Sequence, residues 1–119
     1  MIINFKSLKN SFSYALKGIG QVFREEQNFR IQIFIGFIVL VFGIYLRIEI
    51  WKAIVLILVI ASVLVLELIN SIFERLVDML KPRIHAYVQA IKDIMAAAVL
   101  IASLGAVVIG ILIFGPYLY

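Results

Sequence analysis

ELINSIFERLVD, residues 67–78, closes a long apolar run that begins near Ala53, and it sets Glu67, Asn70, Glu74 and Asp78 into that run. At about 100° per residue, these four side chains fall within roughly 80° of one another on a helix. They form one polar face on a segment long enough to cross a membrane. An ionised carboxylate at hydrocarbon depth costs roughly 2.5–3.5 kcal/mol on insertion scales, so such groups face protein, water or a metal. An acidic seam of this kind marks a site.

The rest of the chain agrees with a membrane setting. Hydrophobic residues make up 65% of it, charged residues only 15%, and the mean hydropathy is +1.14, which excludes an ordinary soluble domain. The 119 residues accommodate three spanning helices of about 20 residues each and one surface element. One all-α integral membrane domain over 1–119 is expected, with a surface helix at about 5–24 and spans at about 29–46, 53–73 and 94–114. So short a chain encloses a polar site more easily with help from neighbouring copies, which predicts a homo-oligomer. There is no cysteine, so disulfides, thiolate nucleophiles and thiolate metal sites are excluded. Residues 1–29 carry no cleavable signal pattern, so the first span is expected to direct insertion.

Phe5, Leu8, Phe12, Ala15, Leu16, Ile19, Val22 and Phe23 recur at three- and four-residue intervals, with Lys6, Lys9, Asn10, Ser13, Lys17, Gln21 and Arg24 opposite. This pattern predicts an amphipathic helix lying in the membrane interface, lysines towards anionic headgroups. Gly36 and Gly43 in the first span are candidate close-packing points. Arg47, Glu49, Trp51 and Lys52 mark a tight interfacial turn. The second span continues as helix towards Met79 until Lys81, Pro82 and Arg83 break it. A third helix starts near Ala86, becomes membranous after Asp93 and is expected to end near Gly115 and Pro116. Its stripe of Ala98, Ala102, Ala106 and Gly110 predicts close helix approach.

Nine of the eleven Lys and Arg lie in the N-terminal region or between the second and third spans. The positive-inside rule then places both regions in the cytoplasm. The acidic strip is expected at that face, where a soluble phosphate donor meets a lipid headgroup. Glu26, Glu67, Glu74, Lys92 and Asp93 share that depth. Two carboxylates with open water positions suit Mg²⁺, a lysine neutralises charge on a transferring phosphoryl group, and a further carboxylate accepts a hydroxyl proton. Those are the parts of a phosphotransferase. No G-x-x-x-x-G-K-S/T loop or protein-kinase signature occurs, which excludes a soluble-kinase fold.

Three motifs carry a resemblance: E-x-x-N-S-x-x-E-x-x-V-D at 67–78, K-D followed by alanines at 92–98, and E-x-N-F-R-I at 26–31. Together with F-x-x-A-x-x-G at Phe12, Ala15 and Gly18, they make the chain resemble the small bacterial integral-membrane diacylglycerol kinases, a family that includes the undecaprenol kinases. The resemblance implies a homotrimer in the bacterial cytoplasmic membrane, using MgATP to phosphorylate a membrane lipid alcohol at the cytoplasmic face. No nucleic-acid partner is expected.

By resemblance, Glu67 is the catalytic base, with Asn70 orienting it or its proton-transfer partner. Glu26 and Glu74 hold the Mg²⁺ that bridges the ATP phosphates. Lys92 contacts phosphate, Asp93 the nucleoside side, and Tyr14 and His85 line the nucleotide pocket, while Asp78 supports the loop. Asn70 also suits a plain interhelical hydrogen bond, and Arg24, Arg30 and Arg75 suit a grip on phosphate or lipid headgroup or, the favoured reading, a solvated or snorkelling role. Gln89, Ala90 and Ile91 stand where many relatives carry another basic residue before K-D. Gln32 stands where many undecaprenol-kinase-like chains have His and the classical diacylglycerol kinases have Glu. The E-x-N-F-R-I form favours undecaprenol as substrate, with diacylglycerol the alternative. A reading of another class is a non-catalytic transporter subunit or scaffold with a carboxylate proton relay. A relay has no use for Glu26, Lys92 and Asp93 gathered at one surface.

Overall fold

The computed structural model describes residues 2–80 and 85–118, and within them the chain is all helical. The order is α1 (Phe5–Glu25), α2 (Gln27–Tyr45), α3 (Ile50–Leu80) and α4 (His85–Leu118). The last three are long and apolar enough to cross a membrane. Large apolar side chains point outward along them, including Phe34, Phe37, Ile57, Leu58, Ile111 and Leu112. So much exposed apolar surface belongs in lipid or against other protein, not in water.

Each helix end follows from local chemistry. Asn4 caps α1, its side-chain oxygen accepting from the Ser7 N–H at 3.0 Å. At the other end, Arg30 Nη1 donates to the carbonyls of Phe23 at 2.8 Å and Arg24 at 2.9 Å, filling acceptors that a helix terminus leaves empty. This is a structural duty in place of the solvated or snorkelling role expected for Arg30. Glu26 alone separates α1 from α2; its backbone is extended, at φ −113° and ψ 109°.

The turn after α2 is a Schellman motif. Arg47 N–H bonds to Ile44 O at 3.1 Å and Ile48 N–H to Gly43 O at 3.2 Å, with Arg47 at φ 55°. Ile48 folds over Gly43, where an added Cβ would meet Ile48 Cδ1 at 3.1 Å. Glu49 then accepts from Trp51 Nε1 at 2.8 Å and pairs with Lys52 Nζ at 3.6 Å.

α3 packs against each of the other three helices. Four of its buried residues, Leu56, Val63, Glu67 and Ser71, form one stripe, since steps of seven and four residues return to the same helix face, while the fifth, Val77, lies off it. The stripe is apolar in its first half and polar in its second. Gly36 is a close-packing point: an added Cβ would lie 2.8 Å from Ile60 Cγ2. The α4 stripe behaves otherwise at Gly110, around which an added Cβ would meet nothing within 4 Å. There the helices leave a cleft of about 270 Å³, lined by Gly36, Val63, Ser103, Ala106, Gly110 and Phe114. Small side chains permit close approach but do not impose it.

α4 also runs past its expected end, through Pro116 to Leu118. Proline removes a donor and crowds the carbonyl four residues back, yet only two described residues follow it. Tyr117 ties this end to α3: Lys52 Nζ lies 3.4 Å from its hydroxyl oxygen and 4.9 Å from its ring centroid.

Candidate active site

Three carboxylates meet where the α1–α2 joint touches the polar half of α3. Glu67 is 7% exposed, buried on the packing stripe. The charges of Glu26 and Glu74 act on it, so all three occupy one electrostatic neighbourhood. Among the described residues, Glu67 has no hydrogen-bond partner, whereas its two neighbours are each held by one. Asn70 Nδ2 donates to Glu74 Oε1 at 3.3 Å. Ser71 Oγ donates to Glu26 Oε1 at 3.3 Å.

The partner of Asn70 is therefore Glu74 and not Glu67. Both lie on the same helix, three and four residues away, and the four-residue spacing brings the amide over the later turn. A second tie binds the joint to α3. Arg75 forms an ion pair with Glu25, and its Nε donates to Ser71 Oγ at 3.3 Å. Ser71 stands in the 67–78 motif without an assigned role, Glu25 lies outside every motif, and Arg75 is expected only in a looser role. The i, i+4 spacing of Glu67, Ser71 and Arg75 was the available signal.

On the α3–α4 side, Lys92 Nζ lies 2.8 Å from Asp78 Oδ1. The charge of Glu74 also acts on Lys92, which connects it to the carboxylate cluster. Asp93 is exposed and accepts from Gln89 Nε2 at 2.8 Å. Tyr14 is exposed on α1, with Lys17 Nζ 5.9 Å from its ring centroid. Each has its partner about one turn away on its own helix, and among the described residues no hydrogen bond joins either to the cluster. His85 opens α4, and its side chain lies outside the described residues. A groove of about 420 Å³ runs between α1 and α3 beside the cluster, lined by Gly18, Gln21, Val22, Leu68, Ser71 and Arg75.

The donor set is oxygen only, which suits a hard divalent cation. Glu26 and Glu74 each spend one oxygen, Oε1, on a protein hydrogen bond. Among the described residues, no three acidic or histidine side chains are close enough to form a metal cage by themselves. That arrangement fits Mg²⁺, which is usually held by one or two carboxylates together with waters and substrate phosphates.

Fold and site together define a small all-helical protein with three helices long and apolar enough to cross a membrane and a carboxylate cluster at one end of its bundle. The chain belongs to the prokaryotic diacylglycerol kinase family, a family of lipid kinases, whose model matches residues 13–114. It is 37% identical over 101 residues to a diacylglycerol kinase of Synechocystis sp., covering 84% of this chain and 58% of that protein. It is 33% identical over 108 residues to an undecaprenol kinase of Bacillus subtilis, covering 91% of this chain and 88% of that one. The chain thus spans little more than half the length of the first relative and most of the second.

Proposed function

We propose that this chain is an ATP- and Mg²⁺-dependent kinase that phosphorylates the hydroxyl of a membrane lipid alcohol. Undecaprenol is the assigned substrate and undecaprenyl phosphate the product. The observation that carries the reading is a buried Glu67, without a hydrogen-bond partner among the described residues, beside two carboxylates that are each oriented by a neighbour.

In this reading Glu67 accepts the proton of the lipid hydroxyl as its oxygen attacks the terminal phosphorus of ATP and ADP leaves. Glu26 and Glu74 hold Mg²⁺, and Asn70 acts through Glu74 as the residue that orients it. Bound there, Mg²⁺ supplies charge neutralisation on the transferred phosphoryl group. Lys92 exchanges Asp78 for a phosphate oxygen, Asp93 faces the nucleoside, and Tyr14 and His85 line the nucleotide pocket. The helix α1 lies along the cytoplasmic membrane surface, and α2, α3 and α4 span the bilayer within a single domain of a homotrimer. The distribution of basic residues supports a cytoplasmic site.

The E-x-N-F-R-I form and the near full-length match to the Bacillus undecaprenol kinase favour undecaprenol. Diacylglycerol, giving phosphatidic acid, is the second reading, favoured by the higher identity to the Synechocystis protein. The deciding experiment is transfer of labelled phosphate from MgATP to each lipid by purified protein in detergent, with Glu67→Gln as the blank. Faster labelling of undecaprenol is the expected result. Faster labelling of diacylglycerol reverses the substrate assignment, and no label in either lipid leaves another lipid alcohol or the non-enzymatic reading, which ATP binding then separates.

A further inference from the structure

Ser71 is 2% exposed, more deeply buried than Glu67 itself, and the reaction just described gives it no task. Its hydroxyl has one proton and two lone pairs, so its neighbours determine its orientation. Arg75 Nε can only donate and the Glu26 carboxylate only accept, and each lies 3.3 Å from Oγ. The guanidinium therefore fills a lone pair and leaves the proton to point at Glu26. Without Arg75, the hydroxyl is free to turn back to the carbonyl one helical turn earlier, a common resting place for a helical serine. Arg75 is fixed in turn by its ion pair with Glu25, the residue immediately before Glu26.

We infer that Ser71 and Arg75 are positioning residues that aim the Glu26 carboxylate at a divalent cation, with Glu25 anchoring Arg75. The inference rests on the reading of Glu26 as a metal ligand. Its physical content is a closed circuit: the joint supplies both the ligand, Glu26, and the anchor, Glu25, while one face of α3 supplies the two groups between them. Partners that orient a metal ligand typically affect affinity or activity by about 10–100-fold.

The test uses Mn²⁺, an oxygen-seeking and paramagnetic stand-in for Mg²⁺, titrated by electron paramagnetic resonance into the full-length protein in detergent. A non-hydrolysable ATP analogue is present throughout. Ser71→Ala is expected to weaken Mn²⁺ binding by about tenfold or more and to raise the Mg²⁺ needed for half-maximal turnover in step, with kcat at saturating Mg²⁺ largely kept. Ser71→Thr, which retains the hydroxyl, is expected to restore binding. Arg75→Lys is expected not to, because an ammonium lacks the paired donors that reach Ser71 and Glu25 together.

Parental Mn²⁺ affinity in Ser71→Ala, alongside weakened binding in Glu26→Gln, overturns the positioning role while leaving the ligand assignment intact. Equal loss in Ser71→Ala and Ser71→Thr also overturns it, as the signature of disturbed packing. Unchanged affinity in Glu26→Gln removes the ligand assignment itself, and the inference with it. Arg75→Lys keeps the question open to experiment if Ser71→Ala does not fold.

Discussion

The two halves of α3 occupy one helix and one packing stripe, yet they solve opposite problems. From Ile50 to Val63 the stripe is apolar, and the helix is held by the fit of Ile60 against Gly36 and of Leu56 and Val63 among their neighbours. From Glu67 to Asp78 the same stripe turns polar, and α3 is tied to the α1–α2 joint and to α4 by directed bonds. Apolar packing tolerates exchange among residues of similar volume. The polar half has no such freedom, because each buried donor or acceptor that loses its partner bears the full cost of desolvation. One half is therefore held by fit, and the other by directed polar ties.

The sharpest break between the halves is expected at Glu67. Replacement by Gln preserves shape and removes basicity, so turnover is expected to fall about 10²–10⁴-fold, the usual contribution of a general base, with MgATP binding largely kept. Phosphate-transfer assays and nucleotide-analogue titration check both parts, and near-normal turnover would remove Glu67 as the base. Next in size, Asn70→Ala is expected to weaken Mg²⁺-dependent nucleotide binding by about 10–100-fold, as loss of an orienting partner does. Titration across Mg²⁺ concentrations tests it; a change in kcat alone would return Asn70 to the service of Glu67.

In the apolar half the effects move from activity to stability. Gly36→Ala places a Cβ 2.8 Å from Ile60 Cγ2 and is expected to cost about 1–3 kcal/mol through overpacking. Denaturant unfolding in detergent measures this, with activity per folded molecule unchanged. The smallest effect is expected in the turn before α3. Arg47 holds φ 55°, which is unfavourable by about 1–2 kcal/mol for a residue with a Cβ. Arg47→Gly is expected to stabilise by about 0.5–1 kcal/mol after the backbone entropy of glycine is set against that gain, read in the same unfolding experiment.

What could be read in the sequence was what repeats along one helix. The apolar runs gave the three long helices, and the spacing of Glu67, Asn70, Glu74 and Asp78 gave the polar face. Links between helices could not be read this way. Glu25 and Arg75 are fifty residues apart in the chain, and no periodicity connects them. Asn70 had carboxylates at both the i−3 and i+4 positions, and only the side-chain conformation chose Glu74. Gly36 and Gly110 look alike as letters and border the same cleft, yet an added Cβ would meet Ile60 at one and nothing within 4 Å at the other, because contact depends on what the facing helix presents.

Glu26 is both the hinge between two helices and a proposed ligand. The tilt of α1 and the grip on the cation are then mechanically one variable, since rotating the backbone at residue 26 moves the carboxylate it carries. By thermodynamic reciprocity, if Glu26 holds the cation, a surface that favours one tilt would change the grip by some free energy, and a bound cation would change the preference for that tilt by the same amount. The angle of the first helix and the occupancy of the proposed cation site would then report on one another.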